Sequence, residues 1–216
     1  MQDLILVTGM VLSQIPVGEY DRRVSILTKE RGKITAFAKG ARRPGSRFMA
    51  ATNPFSFGQF KLIEGRNSYN IAELNISQYF EDLRSDYIGA YYGMYFLEIS
   101  DYYTRENNDE KEMLKLVYQS FKALIHPELS NLLVRCIFEI KALVVNGEYP
   151  GVPDDMILNE STVYALQFIT NSPIEKLYTF TVTDEVLNEL ITVSTKYRKK
   201  FMDKHFKSLQ ILETLC

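Results

Sequence analysis

The chain has 216 residues, 46% of them apolar, and a formal net charge of −2. That is enough apolar material for a real core, in one domain or two small ones. Its two cysteines, Cys136 and Cys216, are too far apart for ligand spacing, which argues against both a disulfide framework and a cysteine metal site and fits a reducing compartment.

Leu4–Ser13, rich in Leu, Ile and Val and closed by Ile15-Pro16-Val17-Gly18, reads as a first strand. Its apolar run is broken by Thr8 and Gly9 and lacks a charged leader. It is also far below the ~20 apolar residues of a membrane span, so a soluble cytoplasmic protein is expected. Asp21–Thr28 and Gly32–Lys39 follow at hairpin spacing, with Gly32 in the turn. In the second of these Ile34, Ala36 and Ala38 share one face, while Lys33, Thr35, Phe37 and Lys39 share the other. A ring between cations suits base stacking beside neutralised phosphates, but Phe37 could equally fill the core.

Lys39-Gly40-Ala41-Arg42-Arg43-Pro44-Gly45-Ser46-Arg47 comes next, with four cations in nine residues and Gly and Pro breaking regular structure. It reads as a mobile cationic loop suited to a polyanion. From Arg22 to Arg47 there are nine Lys/Arg against one acid, Glu30. Asn53-Pro54 then breaks the chain before Phe55–Glu64, and Gly65-Arg66-Asn67-Ser68 turns it into Tyr69–Ser77. Five short strands in eighty residues, without a long helix between them, match an OB-fold barrel, although an SH3-like barrel patterns similarly.

From Glu81 the period becomes helical. Helices are expected over Asp82–Tyr103, Glu110–Ile125, Leu129–Val145, Thr162–Ile169 and Asp184 to about His205, with Thr183 as N-cap of the last. The dense tyrosines of the first, Tyr87 to Tyr103, read as packing residues. The fold class is therefore α+β, with a five-stranded OB-fold nucleic-acid-binding domain over 1–80 and an all-α domain over 81–216. Residues 1–80 carry 11 cations and 6 acids, net +5, and residues 81–216 carry 14 and 21, net −7. Such polarity suggests modules with different partners.

No catalytic constellation stands out. His126 lies at a helix stop and His205 at a basic helix end, and there is no phosphate-cradling glycine motif, H-E-x-x-H or G-x-S-x-G. A non-enzyme with no cofactor and no metal is expected.

Gly18-Glu19-Tyr20-Asp21, Ala38-Lys39-Gly40-Ala41-Arg42-Arg43, Ser46-Arg47 and Asn53-Pro54-Phe55 resemble, in order and spacing, the bacterial RecO recombination mediators. The likeness continues more weakly through Phe138-Glu139 and Lys207-Ser208-Leu209. It implies an OB-fold, a helical C-terminal domain, binding of single- and double-stranded DNA, and strand annealing. It also implies contacts with RecR and with the acidic tail of single-stranded DNA-binding protein, which help to load RecA. Many members carry a four-cysteine zinc site after the third helix. Here Glu148–Leu158 has no cysteine, so zinc is not expected and the Pro-rich loop with local packing takes its place.

Lys39, Arg42, Arg43 and Arg47 would neutralise phosphates, with Arg22, Arg23 and Lys33 extending the surface and Phe37 stacking on bases. Arg135 and Lys141 are the candidates for an acidic-peptide pocket. The rival readings are a protein-interaction adaptor whose basic loop is incidental, and a DNA-processing enzyme.

Overall fold

A computed structural model describes residues 4–66 and 68–215. Asn67 of the expected Gly65–Ser68 turn, and Cys216, lie outside the described residues. Contacts divide the chain into two compact units. One comprises Met1–Glu81 with Ser100–Leu114, the other Asp82–Ile99 with Lys115–Cys216.

In the first unit, β1 (Leu4–Val17), β2 (Asp21–Thr28), β3 (Gly32–Ala38), β4 (Phe57–Glu64) and β5 (Tyr69–Gln78) close into a barrel in the order β1-β2-β3-β5-β4. Only β3 and β5 run parallel. This is the five-stranded Greek-key arrangement of an OB-fold. Strand β1 is longer than its pattern suggests, continuing through Ile15-Pro16-Val17 rather than turning there. Its first half pairs with β4 and its second with β2, and a bulge between Val11 and Ser13 re-aims the strand between them. The true turn is at Gly18-Glu19-Tyr20.

Alternation along β3 places Ile34, Ala36 and Ala38 inside with Val7, Val11, Val24, Ile26, Phe60 and Leu62. Lys33, Thr35, Phe37 and Lys39 lie on the outside. A four-residue helix, α1 (Phe48–Ala51), precedes β4, and Phe55 has a left-handed φ of 73° that delays the strand to Phe57.

The stretch after the first long helix returns to the barrel. Glu106 forms a bridge with Gly32, the Lys33 amide donates to the Arg105 carbonyl at 3.0 Å, and the Asn107 amide donates to Arg31 at 2.9 Å. A Cβ on Gly32 would sit 2.3 Å from the Arg105 carbonyl oxygen, and its φ is +64°. Both facts require glycine there.

Beyond the strands, the expected helix over 82–103 is two helices, α2 (Glu81–Ser85) and α3 (Tyr87–Tyr103). Asp86 separates them and its Oδ1 accepts the Ile88 amide at 3.1 Å. The same carboxylate lies where a Cβ on Gly89 would be, 2.3 Å away, so this glycine admits a capping side chain. Then come α4 (Lys111–Leu124), α5 (Asn131–Val145), α6 (Glu160–Asn171), α7 (Asp184–Phe201) and α8 (Lys207–Leu215).

Helix α5 is capped by Ser130, which accepts the Leu133 amide, and it is buried from Leu133 to Leu143 except at Arg135. A helix apolar nearly all round belongs at the centre, and Phe138 stacks on Phe96 of α3 at 4.1 Å between centroids. Helix α8 was not expected as a separate element, because its cap is distant in sequence. Glu98 accepts both the Ser208 amide at 3.2 Å and its hydroxyl at 2.7 Å.

The Pro-rich loop after α5 is held by side chains of α7. The Tyr197 hydroxyl donates to the Gly151 carbonyl at 2.8 Å, Tyr149 meets the Tyr197 ring edge-on, and Lys196 pairs with Asp155. Among the described residues, no three His, Cys, Asp or Glu side chains gather as a metal site, and no helix is long and apolar enough to cross a membrane.

Candidate nucleic-acid interface

The basic loop joins β3 to α1 through successive turns. The amides of Ala41, Arg43, Ser46 and Met49 each donate to the carbonyl three residues back, and buried Ala41 anchors the loop in the barrel core. Two bonds tie its start to the β1–β2 turn. The Gly40 amide donates to Asp21 Oδ1 at 2.7 Å and the Arg42 amide donates to the Tyr20 carbonyl at 2.8 Å.

Side chains extend this tie in both directions. Arg42 Nη1 reaches the Gly18 carbonyl at 3.2 Å, and the Arg43 guanidinium lies over the Tyr20 ring at 5.1 Å. At the other end Arg47 lies 5.1 Å over Phe48 and donates to the Ala72 carbonyl of β5 at 3.2 Å. The loop thus passes from the β1–β2 turn to β5. Lys39, Arg42, Arg43 and Arg47 are all exposed along it. Contacts of this exposed kind contribute about 0.5–1 kcal/mol each and can yield to a ligand.

Arg23, also exposed, sits on β2 opposite Phe37 of β3, and Phe37 in turn faces Asn70 of β5. Phe37 is half-buried on the outer wall and is not part of the interior. It can therefore offer a ring edge beside a cation. Glu30, the lone acid of the basic stretch, accepts the Thr8 amide at 2.8 Å and so is tied to β1.

Two of the expected cations are committed inside the unit. Arg22 Nη1 donates to the Met49 carbonyl at 2.7 Å, to Thr52 Oγ1 at 2.9 Å and to Asn53 Oδ1 at 3.0 Å, tying down the turn after α1. Burial, then the neighbouring Arg42 charge, pushes the Arg22 pKa down. Lys33 donates to the carbonyl and, at 3.1 Å, to the carboxylate of Asp101. It is also six residues along β3 from Lys39, about 20 Å at the strand rise. Lys33 is on the outer face of β3, whereas Arg22 shares the inward face of β2 with Val24 and Ile26, opposite Ala38. The local pattern holds no record of partners tens of residues away.

The two candidates for a peptide pocket are also spent internally. Arg135 is only 11% exposed and donates through Nε to Glu139 Oε1 at 2.9 Å, an oxygen that also accepts the Tyr95 hydroxyl at 2.6 Å. Arg198 Nε approaches the same oxygen at 3.7 Å. Burial opposes the Arg135 charge, and the adjacent Glu139 carboxylate more than offsets it, raising its pKa. Lys141 donates to the Ile169, Thr170 and Ser172 carbonyls at 3.1, 2.9 and 2.8 Å. It closes the C-terminal end of α6, where a cation complements the helix dipole.

A small closed five-stranded barrel whose β3–α1 loop carries exposed arginines, followed along the chain by helices, places the protein in the OB-fold class. Comparison with known proteins narrows this. Residues 1–80 match the family described as Recombination protein O N terminal, and residues 84–156 match Recombination protein O C terminal. The chain belongs to the RecO family. It is 29% identical to the DNA repair protein RecO of Acetivibrio thermocellus across 96% of both chains. To the protein of that name from Clostridium novyi it is 26% identical, over 96% of this chain and 93% of the other. The Alkaliphilus metalliredigens protein is 33% identical over 68% of this chain and 60% of its own length.

Proposed function

We propose that this chain is a non-enzymatic DNA-binding mediator of recombination and repair in the cytoplasm. Lys39, Arg42, Arg43, Arg47 and Arg23 contact phosphates and Phe37 packs against bases, while Arg22 and Lys33 hold the scaffold in place. The observation that carries this reading is the path of the basic loop from the Tyr20 turn to Ala72, which gathers its cations on one end of the barrel. Membership of the RecO family supports it.

Backbone contact without base readout gives sequence-tolerant binding of single- and double-stranded DNA. A single cationic surface that holds two strands lowers their mutual repulsion, which favours annealing without any bond being made or broken. In this reading RecR and the acidic tail of single-stranded DNA-binding protein are the protein partners, and RecA loading is the outcome. Arg135 and Lys141, being spent internally, are not assigned to the tail.

The test is fluorescence anisotropy of a labelled oligonucleotide across a salt series. Each phosphate neutralised on a single strand contributes about −0.7 to the log–log slope. Replacing Arg42 and Arg43 together by Ala should flatten the slope by about 1.4. An unchanged slope removes the loop from the site, and salt-insensitive binding favours a protein adaptor.

A further inference from the structure

The helical unit contains a groove of about 960 Å³ between α6, the segment 179–183 and the first turn of α7. Its apolar lining includes Val163, Phe168, Phe180, Val182 and Val186. Phe168 and Phe180 meet edge to face at 5.1 Å. Tyr164 on its lip is 70% exposed, and Ile157, next to the lining residue Leu158, is fully exposed. A single exposed Ile is ordinary, but one continuous with an apolar groove enlarges a patch.

Two further features say what fits. Residues 180–183 lie outside any regular element and read Phe-Thr-Val-Thr, with Phe180 and Val182 half-buried, the threonines exposed and Thr183 in an extended conformation. Among the described residues, the amides of Phe180, Thr181 and Val182 donate to no other backbone group. These donors are therefore open to the carbonyls of a partner's backbone.

The rim is acidic. Glu160 lines the groove, and exposed Asp184 and Glu185 begin α7 directly after the lining residue Thr183. Three carboxylates outweigh the roughly half positive charge at each of the two helix N-termini.

We propose that this groove docks an extended segment of a partner protein, apolar at alternate positions and cationic between them, as an added strand beside Phe180–Thr183. An inserted helix would fill the apolar floor but leave those amides without acceptors. A nucleic acid or an acidic peptide would meet carboxylates of its own sign. The added strand satisfies all three features at once, by backbone pairing, buried alternate side chains and cations against the rim.

The chain has no tryptophan, so Tyr164→Trp in the full chain supplies a reporter on the lip. Two nine-residue synthetic peptides, with Val and Phe at alternate positions and either Lys or Glu between them, are titrated against its emission. A third probe is the Lys peptide N-methylated on alternate amides, which cannot pair as a strand. The Lys peptide should bind at least tenfold tighter than either of the others. Adding Glu160→Lys and Asp184→Lys, both exposed positions, should weaken it at least tenfold and leave the circular dichroism unchanged. Equal binding of the Lys and Glu peptides, full binding of the N-methylated peptide, or indifference to the charge reversal each overturns the proposal.

Discussion

Lys33 donates to both the carbonyl and the carboxylate of Asp101, 68 positions further along the chain. A cation on the outer face of β3 therefore fastens the returning segment to the barrel. Its side chain retains only 21% exposure, and its charge is already answered. Replacing Lys33 by Ala should leave the salt slope of DNA binding unchanged while lowering stability by roughly 1–2 kcal/mol. Oligonucleotide anisotropy and urea unfolding on the same variant check the two halves. A flattened slope would return Lys33 to the phosphate contacts.

Glu139 lies fully buried, where its Oε1 receives Tyr95 and Arg135 and its Oε2 has no hydrogen-bond partner. Removing one member of a buried ion pair strands the other, at about 3–5 kcal/mol. Glu139→Ala should therefore cost about that much in urea unfolding, because Arg135 and Arg198 lose their common carboxylate. Arg135→Met should be milder, since Tyr95 and Arg198 still face the acid. The order of the two midpoints tests the assignment.

Lys141 supplies three hydrogen bonds to the end of α6 from a nearly buried position. Lys141→Met keeps the stem and deletes the donors, leaving carbonyls without partners. The expected loss is about 2 kcal/mol. Hydrogen exchange should quicken in the last turn of α6 and stay slow in the middle of α5. Uniformly faster exchange would show a global effect and not a lost cap.

Burial raises the Cys136 thiol to about 12 and the Tyr149 hydroxyl to about 12. Both groups are neutral when protonated, so the folded state holds each proton more tightly than the unfolded chain. Their contribution is complete below the unfolded values, near 9 for the thiol and 10 for the hydroxyl, and is lost as pH rises toward about 12. For one such group the slope is about 1.4 kcal/mol per pH unit. Cys136→Ala should reduce the fall in stability between pH 9 and 12 by one proton's worth. In a Cys216→Ser background, the native chain at pH 8 should react with a thiol reagent only as fast as it unfolds.

The strands and helices were legible because pleat and helix impose their periods on neighbouring residues. Ile34, Ala36 and Ala38 against Lys33, Phe37 and Lys39 declare a half-buried strand from seven letters. The cationic loop was legible for the same reason, since its charges are contiguous. The bulge in β1 was not, because closure of a barrel depends on β4, some fifty residues away.

What the amino-acid order settled by itself was the barrel-then-helices plan and the presence of concentrated positive charge after β3. What only the folded chain decided was which charges remain available. Arg42, Arg43 and Arg47 stay exposed, whereas Arg22, Lys33, Arg135 and Lys141 are taken by internal acceptors. The physical reason is that a side chain's periodic face is a local property, while its partner is whatever acceptor the tertiary packing brings within about 3 Å.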